Sequence, residues 1–106
     1  YGANVIFIVV NNGMYGTIRM HQEREYPSRV SGTQLVNPDF AALAKAYGAT
    51  GEVVTETAQF AAAFARAKAA DSPALIELRT DPEAITPTAT LSGLRAQAEA
   101  REKGNP

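Results

Sequence analysis

Residues 5–20 read VIFIVVNNGMYGTIRM, and how the run Val5–Val10 is read decides the fold. Six apolar residues, mostly β-branched, follow one another without alternation, which is how a strand covered on both faces of a parallel sheet reads. Asn12-Gly13 just after the run is also a strong signal for a tight β-hairpin. A hairpin needs a second strand at once. Met14-Tyr15-Gly16-Thr17-Ile18-Arg19-Met20 instead puts a glycine in its interior and alternates poorly. The other reading comes from position, because ligands of open α/β sheets bind beyond the carboxyl ends of the strands. An Asn carbonyl is a neutral oxygen ligand suited to Mg2+, and Gly13 and Gly16 let backbone N–H groups approach a phosphate. On these residues alone both readings stand.

Working outward, residues 11–36 are mostly polar, carry Gly13, Gly16, Pro27 and Gly32, and show no clear period. They read as one long loop, and loops of that length are more often functional than idle. Asn37-Pro38 then predicts a helix start, with Asn as N-cap and Pro in the first turn. Phe40, Leu43, Ala44 and Tyr47 form its apolar stripe, and Gly48 its stop. A strand is expected over Gly51–Val54. A second helix runs from a Thr57 cap to about Ala70, with Phe60, Ala61, Phe64, Ala67 and the stem of Lys68 on one face. Ala74–Arg79 reads as a third strand, ended by a turn at Asp81-Pro82. A thin apolar face over Leu91, Leu94 and Ala98 suggests a last helix from Leu91 to about Glu102. The order β–loop–α–β–α–β–α predicts an α/β fold: a parallel sheet of about three strands with flanking helices. Residues 1–90 are expected to form its main body and residues 91–106 a helical tail.

Composition narrows the function classes. The chain has 106 residues, 10 basic and 11 acidic, for a formal charge of −1. That balance gives no field to attract nucleic acid or an anionic membrane. There is no cysteine, so disulfides, thiolate metal sites and Cys nucleophiles are absent. Val5–Val10 is far shorter than the ~20 residues needed to cross a bilayer. A cytoplasmic setting is the expectation. The chain enters an all-apolar strand a few residues after Tyr1, without an initiator Met. Such a strand needs cover, so a piece of a longer protein is expected.

Other chemistry-bearing residues read blandly. His21 is the single histidine and is expected to be a partly solvated loop residue. Arg19, Arg24 and Arg29 alternate with Glu23 and Glu25, as in a solvated, self-compensated loop. Ser28, Ser31 and Ser92 have no nucleophile-elbow context. Asp39 and Glu56 suit helix N-termini, where acids favour the dipole.

The stretch VIFIVVNNGMYGTIRMHQEREYPSRVSGTQLVNPDFAALAKAYGA, with ALIELRTDPEAITP further on, resembles the C-terminal cofactor-binding domain of thiamine-diphosphate-dependent enzymes. It looks most like the acetolactate synthase and benzoylformate decarboxylase group, and the resemblance weakens after about Leu91. It implies thiamine diphosphate and Mg2+ as cofactors, a small 2-oxoacid as substrate, and a homodimeric or homotetrameric parent. Carried over by position, Asn12 is the side-chain Mg2+ ligand and Met14 the carbonyl ligand. Gly13, Tyr15 and Gly16 lie along the diphosphate, and Asn11 stabilises the turn. Ile18 falls where pyruvate decarboxylases carry an acid beside the substrate, so an aliphatic residue argues against that activity. The family's Gly-Asp-Gly is absent from the chain. Its cofactor-activating Glu belongs to another domain. The resemblance therefore implies an inactive half-site in the chain alone. The competing reading is a small α/β interaction module that uses its 14–36 loop and catalyses nothing.

Overall fold

The computed structural model describes residues 1–104; the last two residues of the expected 91–106 tail lie outside them. Its elements are β1 (Ile6–Asn11), α1 (Gly16–Glu25), α2 (Phe40–Ala46), β2 (Thr50–Val54), α3 (Thr57–Ala69), β3 (Ala74–Arg79) and α4 (Leu91–Gly104). The three strands form one parallel sheet in the order β1-β3-β2. Ile6 pairs with Ala74 and Asn11 with Arg79 on one side of β3, and Thr50 with Ala74 and Val54 with Leu78 on the other. Asn12-Gly13 is therefore not a hairpin turn. Two compact units divide the chain: residues 1–11 with 37–80, and residues 12–36 with 81 onward.

In the first unit α2 and α3 pack on the sheet. The β-branched runs of β1 and β3 favour extended backbone, and β3 is the central strand, paired on both sides. Val54, Ala63, Ala67, Ala74 and Ile76 form the buried cluster, with Ile6, Phe60, Phe64 and Leu78 packed against it. Phe60 and Phe64 stack with ring centroids 5.7 Å apart, and Lys68 Nζ sits over the Phe64 ring. Ala61, expected on this face, is exposed, and Ala63 takes the inward place. α3 starts one residue earlier than its expected cap: Glu56 is the N-cap, and Gln59 Oε1 accepts from the Thr55 and Glu56 N–H groups.

Three expectations about α2 and β1 are corrected here. Asp39, not Asn37, caps α2, its carboxylate accepting from Ala42 N at 3.0 Å. The helix turns its small residues inward: Ala41 and Ala44 are buried, whereas Leu43 and Tyr47 are exposed. The reason is close approach. A Cβ on Gly51 of β2 would run into the Ala41 backbone, so only a small-residue face fits there. Gly48 does end the helix, with φ +80°. β1 is an edge strand with β3 as its strand partner, and Phe7 and Val10 are 55% and 65% exposed. Burial of β1 on both faces is thus not found among the described residues.

The second unit holds the largest departure. Residues 16–25, expected as loop, form α1, which packs against α4. α1 has almost no apolar face; its one buried residue is Glu23, with none of its surface exposed. Arg95 of α4 grips that carboxylate through both oxygens, Nη2 to Oε1 at 2.6 Å and Nε to Oε2 at 2.8 Å. Arg19, one turn earlier on α1, adds Nη2 to Oε1 at 2.9 Å, and Ser28 N donates to Oε2 at 3.2 Å. Hydrogen bonding from Arg95 outweighs the effect of burial and lowers the Glu23 pKa from 4.5 to about 2. The self-compensated loop of Arg and Glu residues is therefore a helix whose Glu23 is an anchor. His21 is exposed on α1, as a solvated residue.

Candidate functional site

The end of β1 belongs to the first unit and the loop that follows it to the second. In the first unit, Asn11 closes β1 and its side chain is committed to the fold. Asn11 Nδ2 donates to Glu77 Oε1 at 3.2 Å, and Asn11 Oδ1 accepts from Asn37 Nδ2 at 2.8 Å. Its backbone carbonyl accepts from Thr80 N at 3.0 Å. Glu77 is buried in the central strand, and Arg79 Nε donates to its other oxygen at 2.8 Å. These bonds tie the end of β1 to β3, to Asn37 and to Thr80. Glu77 was missed from sequence, although a carboxylate inside the apolar run ALIEL was the signal: a doubly covered strand carries a charge only when it is paired.

The second unit contains the loop itself. Asn12 Oδ1 accepts from Met14 N at 3.2 Å, closing a turn in which Gly13 has φ +73°. That left-handed conformation explains the glycine. Gly16 opens α1 against the Asn12 side chain so closely that a Cβ there would lie 2.8 Å from Asn12 Nδ2. Tyr15 is the N-cap of α1 and half exposed, so the first N–H groups of a ten-residue helix follow the loop directly. Asn12, Gly16, Thr17 and Met20 line a cavity of about 400 Å3, completed by Ala84, Ile85 and Thr86. Ile18 sits on the exposed side of α1 and is not among these lining residues. The structure therefore brings Asn12, Gly13, Met14, Tyr15 and Gly16 into one turn and leaves Ile18 beside it.

Residues 1–78 match the family described as "Thiamine pyrophosphate enzyme, C-terminal TPP binding domain". The chain belongs to this family. As a thiamine pyrophosphate enzyme C-terminal domain, it is 34% identical over 80 residues to the acetolactate synthase large subunit of Parasynechococcus marenigrum (strain WH8102), covering 74% of this chain and 13% of that protein. It is 32% identical over 81 residues to the mitochondrial acetolactate synthase catalytic subunit of Aspergillus candidus, covering 76% of this chain and 12% of that protein. A solved structure, the Rhodococcus jostii RHA1 thiamine diphosphate-dependent 4-hydroxybenzoylformate decarboxylase, superposes with a TM-score of 0.67 at 38% identity. That match covers 76% of this chain and 15% of the decarboxylase. The domain thus spans about an eighth of the curated relatives it matches.

The loop offers oxygens of a kind that would suit a hard metal ion. Asn12 Oδ1 and the Met14 carbonyl are neutral oxygens, the donor type of a hard cation such as Mg2+. Asn12 Oδ1 spends one lone pair on Met14 N, and an amide oxygen has two. Among the described residues no group of three or more His, Cys, Asp and Glu side chains is placed to hold a metal. No helix among the described residues is long and apolar enough to cross a membrane.

Proposed function

We propose that this domain forms the Mg2+ and diphosphate half-site of a thiamine-diphosphate enzyme that acts on a 2-oxoacid, by decarboxylation or carboligation, as a lyase or transferase. The observation that carries the reading is the Asn12-Gly13-Met14 turn, braced against Gly16 at the mouth of a cavity, in a chain of this family. The printed activities of the relatives, acetolactate synthase and 4-hydroxybenzoylformate decarboxylase, supply the substrate class. In this reading Asn12 Oδ1 and the Met14 carbonyl hold the metal, while Gly13, Tyr15 and Gly16 run along the diphosphate. The start of α1 adds N–H groups and a positive dipole end facing that charge. Ile18 lies toward the substrate. When bound, thiamine diphosphate supplies the nucleophilic carbon and the electron sink for bond cleavage beside the 2-oxo group.

Two neutral ligands are a third of the six that Mg2+ demands. The remaining ligands must come from the diphosphate, from water and from a carboxylate outside this sequence, so the chain by itself is inactive. The same proposal takes the complete enzyme to be a cytoplasmic homodimer or homotetramer, an assembly that lets a second subunit bring the groups this domain lacks.

In the complete enzyme, Asn12→Ala removes a side-chain ligand and is expected to weaken Mg2+-dependent thiamine diphosphate binding, measured by calorimetry on the apoenzyme. Wild-type affinity in that variant overturns the ligand assignment.

A further inference from the structure

The loop of residues 12–16 is held from outside by a second segment, and that segment is held by α1. Leu35 N donates to the Gly13 carbonyl at 2.9 Å, and Tyr15 N donates to the Thr33 carbonyl at 2.8 Å. Met14 and Gln34 face each other as an isolated antiparallel bridge. Thr33 is buried, and its hydroxyl donates to Gln22 Oε1 at 3.0 Å. The same Gln22 side chain donates through Nε2 to the Ser31 carbonyl at 2.7 Å. One amide on α1 therefore clasps residues 31 and 33 together, and their neighbours grip the loop.

The consequence follows from peptide geometry. A trans peptide is planar, with its C=O and N–H pointing in opposite directions. The bond from Tyr15 N to Thr33 fixes the Met14–Tyr15 plane, so it turns the Met14 carbonyl away from the 33–35 segment. The bond from Leu35 N fixes the Gly13–Met14 plane, so Met14 N points the opposite way, where it meets Asn12 Oδ1. Both oxygens assigned to the metal are thus aimed by backbone groups of residues 33 and 35. The Gln22 clasp ties the segment that aims them to α1.

We propose that Thr33 and Gln22 are positioning residues of the cofactor site, their side-chain bond fixing the segment that orients the Met14 carbonyl and the Asn12 side chain. The inference rests on the reading of those two groups as metal ligands. Partners that orient metal ligands are typically worth roughly 10- to 100-fold in affinity or activity.

The test uses the complete enzyme as apoprotein, titrated calorimetrically with thiamine diphosphate at fixed Mg2+, with kcat measured at saturating cofactor. Thr33→Val keeps the side-chain shape and removes the hydroxyl; it is expected to weaken cofactor binding by roughly 10-fold or more, with kcat at saturation retained. Thr33→Ser restores the hydroxyl and is expected to restore the affinity. Gln22→Met removes the bond to Thr33 together with the bond to Ser31 and is expected to weaken binding at least as much, and the double variant with Thr33→Val loses no more than Gln22→Met alone, because the bond that Thr33→Val removes is already gone. Should Thr33→Val fold poorly, the Gln22→Met arm decides the matter. Unchanged affinity in Thr33→Val and Gln22→Met, alongside a loss in Asn12→Ala, overturns the brace and leaves the site reading intact. A drop in kcat with unchanged affinity, or failure of Thr33→Ser to rescue, also overturns it. Unchanged affinity in Asn12→Ala overturns both.

Discussion

Glu77 in the sheet unit and Glu23 in the two-helix unit are the buried carboxylates among the described residues, and they are held by different chemistry. Glu77 receives one hydrogen bond from the neutral amide of Asn11 and one from Arg79, whose side chain is half exposed. Glu23 receives two arginines and a backbone N–H. The surroundings explain the contrast. The sheet unit has an apolar cluster to hold it together, so its carboxylate is free to serve the strand end where Asn11 leads into the loop. α1 has almost no apolar face of its own, although Leu91 and Ala98 of α4 are buried, and an ion-pair cluster joins the two helices. A charge buried for cohesion is surrounded by opposite charge; a charge buried to place a neighbour needs only a directed bond.

The sharpest way to break that comparison is to truncate both acids. Glu23→Ala leaves Arg19 and Arg95 facing a void, and removal of one partner from a buried pair costs about 3–5 kcal/mol. Both arginines reach some solvent, so the expected loss is at the low end, ~3 kcal/mol in urea unfolding. Amide exchange should rise first in α1 and α4. Glu77→Ala removes one neutral-amide bond and one ion pair to a half-exposed arginine, with an expected loss of about 1–3 kcal/mol. Equal losses, or exchange that rises first in the strands of the Glu23 variant, would erase the distinction.

Acid titration sharpens the same point. A carboxylate whose pKa falls on folding adds stability that is complete above its unfolded value and is lost as pH drops toward its folded value. For Glu23 those limits are 4.5 and about 2. The difference is worth ~3 kcal/mol at neutral pH, at about 1.4 kcal/mol per pH unit. Urea midpoints measured from neutral pH downward should therefore fall steeply across that window. Glu23→Gln, which cannot titrate, should start lower and lose the Glu23 share of the slope. A variant with the wild-type slope would place the acid sensitivity elsewhere.

How legible these features were in the sequence follows the same division. β1, β2, β3 and α3 were readable because apolar runs and a helical apolar face report on packing that is local in sequence. The turn at Asn12-Gly13-Met14 was readable because a strand end, an Asn and a glycine each have a meaning by position. α1 was not, because helical periodicity is sought in apolar residues and its inward residue is Glu23, paired with an arginine 72 positions away. Ile18, an apolar residue on that helix, faces outward. The bonds of Thr33 to Gln22 and of Asn11 to Glu77 span 11 and 66 positions and leave no pattern in composition or spacing. Polar networks are specified by three-dimensional partners, so their members look like ordinary loop residues until the partners are known.

The smallest expected effect isolates burial as the variable. Arg66 meets Glu52 in a bidentate pair, with Nη2 to Oε1 at 2.7 Å and Nε to the two oxygens at 3.0 and 3.1 Å. By distance and count this pair rivals the grip of Arg95 on Glu23. Hydrogen bonding from Arg66 likewise lowers the Glu52 pKa. The difference is solvent: the Arg66 side chain is 61% exposed, while that of Glu23 is wholly covered. Exposed pairs are screened by water and salt and lose side-chain entropy on forming. Arg66→Ala is therefore expected to shift the urea midpoint far less than Glu23→Ala, and the residual shift should fade as salt is raised. A loss comparable to that of Glu23→Ala, persisting in high salt, would mean that geometry rather than burial sets the strength of these pairs, and the contrast between the two units would have to be rebuilt on that basis.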